Sequence, residues 1–187
     1  LDAAPYNGAP RAPVLYIKPA NTIAGEGVNV SLPAGASSVE VAATVGLVIA
    51  RAATRLTLAN ALDHVGEVAL ACDLSLPHAS YYRPPIREKC FDGSLVLGPR
   101  ARLGDISRLV LTTRIGAAVV DTFDLGDLIR DAARLLVDVT EFMTLNAGDV
   151  LLVGVLYRAP EARPGDTVQI EAAGLGSLAF TIAGNDR

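Results

Sequence analysis

Two segments of this chain, residues 39–50 (VEVAATVGLVIA) and 65–74 (VGEVALACDL), are nearly continuous in apolar residues and rich in valine. A strand with one wet face alternates apolar and polar residues, so a continuous apolar run of this length marks a strand covered on both faces. Two such strands require a sheet buried between other layers. The chain can supply those layers: 187 residues, 51% hydrophobic and 19% charged, suffice for one full core. No uninterrupted apolar run approaches the roughly 18 residues of a membrane-crossing helix, so the hydrophobic excess is assigned to core or subunit interface.

Around these strands the pattern predicts many short elements. Residues 1–13, rich in Ala, Pro and Gly, read as an N-terminal arm, and residues 14–187 as one domain that begins with a strand at 14–17. A Gly-rich loop leads to an apolar segment at 28–32, and a short helix is expected at 57–64. Further strands are expected at 109–115, 118–122, 150–156, 167–171 and 177–182. The clearest helix covers 125–142, where Leu125, Leu128, Ile129, Ala132, Leu135, Leu136 and Val139 share one face and Asp124 is the N-cap. Many strands and few helices define a β-rich α+β fold.

Charge and cysteine content narrow the function. Sixteen basic residues against twenty acidic ones give a net charge of -4 with no basic block, which argues against nucleic acid as a partner. Two cysteines, Cys72 in an apolar strand and Cys90 in a polar loop, are too few for a disulfide framework. With no secretory signal read at the opening residues, they predict a cytoplasmic protein with free thiols. Cys90 with His78 lacks an orienting third group and makes a weak case for a thiol enzyme. His64 reads as a capping or surface residue.

Two blocks look like a site. Residues 80–99 (SYYRPPIREKCFDGSLVLGP) gather Tyr81, Tyr82, Arg83, Arg87 and Lys89 into a polar insert between apolar segments, and residues 141–154 (EFMTLNAGDVLLVG) run through a Gly-Asp turn into a strand. Upstream, Asp73 lies near the end of an apolar strand, a place where carboxylates are rare without a reason. In this order, the Tyr-Arg-Pro, Lys-Cys-Phe-Asp-Gly and Glu-Phe-Met-Thr-Leu blocks resemble the fumarylacetoacetate hydrolase family, and within it the N-terminal half of the two-part isomerase/decarboxylases.

That resemblance implies a mixed β-roll and a site holding Mg²⁺ or Mn²⁺ on three carboxylates, a Glu-x-Glu pair and an Asp. Counting back from Gly46 places Ser38 where the family has its first Glu, with Glu40 as the second and Asp73 as the third ligand. Residues i and i+2 of a strand share a face, so such a pair can present both carboxylates to one ion. The resemblance also implies Lys89 as the catalytic lysine, with Tyr82 and Arg83 against the substrate. Val155 and Leu156 replace the family's Thr-Pro after the strand glycine, and the family's N-terminal His-and-Glu lid is not found in this sequence. The implied activity is decarboxylation and isomerisation of 5-oxopent-3-ene-1,2,5-tricarboxylate, a polycarboxylate of 4-hydroxyphenylacetate breakdown. Alternatives are a degenerate structural subunit beside an intact homologue, another hydrolase of the family, or an oxaloacetate decarboxylase. A homodimer or a heteromer with a homologous subunit is expected.

Overall fold

A computed structural model describes residues 13–78, 85–102, 104–156 and 158–184. Its strands are β1 (Ile23–Gly25), β2 (Asn29–Val30), β3 (Val39–Ile49), β4 (Val65–Ser75), β5 (Leu95–Arg102), β6 (Val110–Ile115), β7 (Ala118–Asp124), β8 (Val150–Leu152), β9 (Glu161–Ala162), β10 (Thr167–Ala172) and β11 (Gly176–Ile182). Two α-helices, α1 (Ile86–Lys89) and α2 (Ala132–Thr140), and short 3₁₀ turns complete it. One sheet runs β1-β5-β4-β3-β8, with β9 also paired to β3, and the other runs β2-β11-β10-β6-β7. This is the β-rich α+β fold that the sequence predicts.

The two long apolar runs are β3 and β4, paired antiparallel at the centre of the first sheet. Side-chain alternation gives each strand two unlike faces. Val41, Ala43, Val45 and Leu47 of β3 pair with Leu74, Cys72, Leu70 and Val68 of β4, and all eight belong to the main core. That face packs toward the second sheet, which contributes Leu111, Val168, Ile170, Leu178 and Phe180. The sheets meet closely where β5 crosses β11: a Cβ on Gly98 would lie 2.9 Å from the Leu178 Cβ, so only glycine fits. The other face of β3 and β4 carries Glu40, Ala42 and Thr44 against Ser75, Asp73 and Ala71. The candidate site lies on this second face.

Several elements differ from expectation for identifiable reasons. Residues 14–17 pair with no strand; they run as a strap whose Tyr16 and Lys18, two residues apart, both turn toward Asp73. The helix expected over 125–142 is split. Asp124 accepts from the Gly126 N–H and caps only a 3₁₀ turn (Leu125–Asp127), Leu128 is extended, and α2 starts afresh with Asp131 accepting from the Arg134 N–H. Two caps within eight residues make two starts, and the apolar periodicity alone does not show the break. The expected helix at 57–64 contracts to a 3₁₀ turn over Ala61–His64, and the strand expected at 150–156 ends at Leu152. β5 was unforeseen because Gly98 and Pro99 disfavour a strand interior. Its pairing with β4 shifts register between Ala69 and Ala71, which lets the sheet take in the Gly-Pro step.

Candidate active site

Asp73 is the centre of the site, with 1% of its surface exposed. A carboxylate so deep in a sheet needs opposite charge beside it, and it has two ammoniums, although only Oδ2 receives a hydrogen bond and Oδ1 is left without one. The Lys18 ammonium lies 2.9 Å from Oδ1, the Tyr16 hydroxyl donates to Oδ2, and the Lys89 ammonium stands 4.0 Å from Oδ2. Lys89 also sits over the Tyr16 ring, 4.6 Å from its centroid, a cation–π contact. Burial, then the charge and acceptor of Asp73, push the Tyr16 hydroxyl far above its ordinary range, so it stays protonated as a donor.

The two lysines are held differently. The Lys18 ammonium reaches the carbonyls of Leu74 (3.2 Å), Lys89 (2.6 Å) and Ser94 (2.7 Å) and the Ser94 hydroxyl (3.0 Å), besides Asp73. Five oxygens therefore surround a group with three protons, and its side chain is 5% exposed. Burial lowers its pKa and the Asp73 charge opposes that shift. Lys89, the last residue of α1, has a side chain 17% exposed, so its ammonium can still be approached. The backbone of α1 is anchored to β4 by the Leu76 N–H donating to the Glu88 carbonyl.

Glu40 shares the outer face with Asp73, but the register sets it opposite Ser75 and puts Ala42 directly across from Asp73. Its half-buried carboxyl is raised above the ordinary range first by burial; Lys89 and His78 pull it down, Glu161 and Asp73 push it up. Glu161 faces it across the β3–β9 pair. Ser38 precedes β3, half-buried, two residues before Glu40. The structure thus brings Glu40, Asp73 and Lys89 into one electrostatic neighbourhood. Tyr82 and Arg83, with Tyr81, lie outside the described residues. Arg87 turns away and donates to the Ala34 carbonyl. The Cys90 thiol donates to the Ile17 carbonyl, and His64 Nδ1 donates to the Ala52 carbonyl. A cleft of about 300 Å³ lined by Arg55, Leu56, Arg134, Val137, Asp138 and Glu141 shares no residue with the Asp73 cluster.

Sequence reasoning missed Tyr16, Lys18 and Ser94. One signal was available: a lysine ending the apolar run VLYIK just before Pro19 is as anomalous there as Asp73 is in its strand.

Among the described residues, no group of three or more His, Cys, Asp or Glu is arranged to hold a metal ion. The charges around Asp73 do not suit a divalent cation either, since both its oxygens already face protonated partners. The Mg²⁺ or Mn²⁺ site implied over Glu40 and Asp73 therefore does not fit the donor set present.

The site is thus a buried Asp73 on the outer face of the central strands with the partly exposed Lys89 of α1 beside it. The chain belongs to the fumarylacetoacetate (FAA) hydrolase C-terminal family, whose model matches residues 2–183. It is 40% identical over 182 residues to the 4-hydroxyphenylacetate degradation bifunctional isomerase/decarboxylase of Salmonella dublin, covering 97% of this chain and 42% of that protein. The chain spans about two fifths of the length of such relatives. Among solved structures, the 5-carboxymethyl-2-hydroxymuconate delta-isomerase of Mycobacterium smegmatis superposes with a TM-score of 0.89 at 28% identity, covering 97% of this chain and 73% of that one. Fumarylpyruvate hydrolase from Pseudomonas aeruginosa, solved with Mn²⁺ and pyruvate, shares the fold (TM-score 0.84, 19% identity, 91% and 78% covered). The family is enzymatic, and the first two of these relatives are named as an isomerase/decarboxylase and an isomerase.

Proposed function

We propose that this chain catalyses decarboxylation and isomerisation of 5-oxopent-3-ene-1,2,5-tricarboxylate or a closely related 2-oxo acid in 4-hydroxyphenylacetate breakdown. The observation that carries this reading is the Lys89 ammonium, fixed between Asp73 and the Tyr16 ring yet still approachable. Loss of CO₂ from carbon 2 of that substrate breaks one C–C bond, and the electron pair passes through the 3-ene into the 5-oxo group. The product is a dienolate. An ammonium placed at the developing oxyanion stabilises it more than the neutral ketone, which lowers the barrier. Isomerisation then returns a proton to carbon. Glu40, half-buried and raised, stands in the same neighbourhood and can hold that proton. Metal chemistry of the Mg²⁺ or Mn²⁺ kind enters no step here.

A second reading has its own support: the chain covers 42% of the Salmonella relative, so a homologous partner subunit can complete the active unit. On that reading this chain binds the partner and contributes little chemistry itself. One assay separates them. The purified chain, alone and mixed with a homologous subunit, is given the synthetic tricarboxylate and CO₂ release is followed. Turnover by the chain alone, reduced about a hundredfold or more in Lys89→Ala, supports the first reading. No turnover alone but full turnover in the mixture, indifferent to Lys89→Ala, supports the second.

A further inference from the structure

Beside Asp73 the protein supplies its own cation. We infer that the Lys18 ammonium takes the place a divalent ion would need, and that this chain's site receives anionic oxygens at Lys89 without a metal ion. The nature of that anion rests on the proposed function; the displacement of the metal does not.

Three observations carry this. First, a carboxylate ligates a hard cation only where the ion can come within about 2.5 Å of its oxygens. The Lys18 ammonium occupies the space 2.9 Å from Asp73 Oδ1, which has no hydrogen bond of its own, while Oδ2 accepts from Tyr16 with Lys89 beyond, so an arriving divalent ion meets two ammonium charges around one carboxylate. Second, the β3 positions nearest Asp73 offer no anionic ligand. Ala42, directly across, presents a methyl group, and Thr44 spends its hydroxyl as a donor to the Gly154 carbonyl. Glu40 is one step further along and faces Glu161 instead. Third, the oxygens that gather around Lys18 are three backbone carbonyls, a hydroxyl and a carboxylate, the hard donor set a metal ion prefers, and they are already filled. Those carbonyls belong to the ends of β4 and α1 and the start of β5, so displacing the ammonium means dismantling the junction that positions Lys89. Around Asp73 two ammoniums face one carboxylate, with Glu40 the next carboxylate out, so a dication meets two cations first and an anion is drawn to the exposed side of Lys89.

Mn²⁺ alone is the probe, read by its solution electron-spin-resonance signal, which falls when the ion is captured. Wild-type protein is expected to leave millimolar Mn²⁺ free, and Lys18→Met, which empties the cage and bares Asp73, to capture it at least tenfold more tightly. Turnover of the tricarboxylate is expected to persist unchanged in excess chelator. Saturable capture of one Mn²⁺ per wild-type chain, abolished in Asp73→Asn, overturns the inference, and that arm needs no Lys18 variant to fold. A wild-type chain that captures no Mn²⁺ and turns nothing over supports the inference while overturning the proposed activity, so the two can fail separately.

Discussion

Replacing Lys18 with methionine keeps the apolar stem of the side chain and deletes the ammonium with its charge and donors, so it isolates what that group contributes. The pair it forms with Asp73 is deeply buried, 5% and 2% exposed by side chain. Breaking a buried pair by removing one partner costs about 3–5 kcal/mol, because the remaining charge is left without compensation. Here compensation is partial: Lys89 at 4.0 Å and the Tyr16 hydroxyl still face Asp73. Against that, three carbonyls and the Ser94 hydroxyl lose a charged donor. The two corrections oppose each other, so a loss of about 3 kcal/mol is expected, or about 6–12 °C in Tm for a chain of this size. Urea unfolding followed by circular dichroism measures it, with Asp73→Asn and the double variant closing a thermodynamic cycle. If the carboxylate is what makes the bare site costly, the double variant is less destabilised than the sum of the singles by more than about 1 kcal/mol. A loss below about 1 kcal/mol in Lys18→Met, or strict additivity, would refute the claim that this pair holds the strap to the sheet.

Other consequences follow from the same geometry. The Glu40 pKa is raised in the folded chain, so folding binds a proton there and stability falls as pH rises from the ordinary carboxylate range through the folded value; Glu40→Gln should therefore raise Tm over wild type at pH 7 and leave it equal at pH 4, and a difference independent of pH would contradict this. Thiol titration of native protein should find Cys90 alone reactive, since Cys72 is wholly buried with its pKa raised well above the usual value, and both are free; a second group reacting at the same rate without denaturant would count against the core placement of Cys72. Gly98→Ala should cost about 1–3 kcal/mol in urea unfolding, because its new methyl meets the fixed Cβ of Leu178 rather than a movable tip; a neutral result would mean the two sheets are not pinned there.

Much of the fold was legible because its centre obeys one rule. Residues 39–50 and 65–74 are apolar at nearly every position, and only a strand buried on both faces asks for that; both emerged as β3 and β4 with ends within one residue of expectation. Where two rules competed, the pattern misled. In 125–142 the helical periodicity was real, but it spans two capped segments, and Asp131 ended the continuity that the apolar spacing suggested. Residues 95–99 were read as part of a polar insert, while the structure makes them the start of β5 and spends the Gly-Pro step on a register shift inside that strand.

The site divides along a different line, between residues anomalous for their local segment and residues that only tertiary contact makes important. Asp73 stood out locally, Lys89 was named by the family resemblance, and the two converge in space. Glu40 was expected from a spacing counted on β3, but the spacing could not give the register with β4, and register decides which β3 residue faces Asp73: it is Ala42. Lys18 lies 55 residues before Asp73 in a strap without secondary structure, so no periodicity links them. What links them is a requirement rather than a pattern. A buried carboxylate must find a cation, and when the strand beside it offers only methyl and hydroxyl groups, the cation has to come from elsewhere in the chain. Asked of Asp73 at the outset, that question leads to the lysine in VLYIKP, because it is a cation that closes an apolar run.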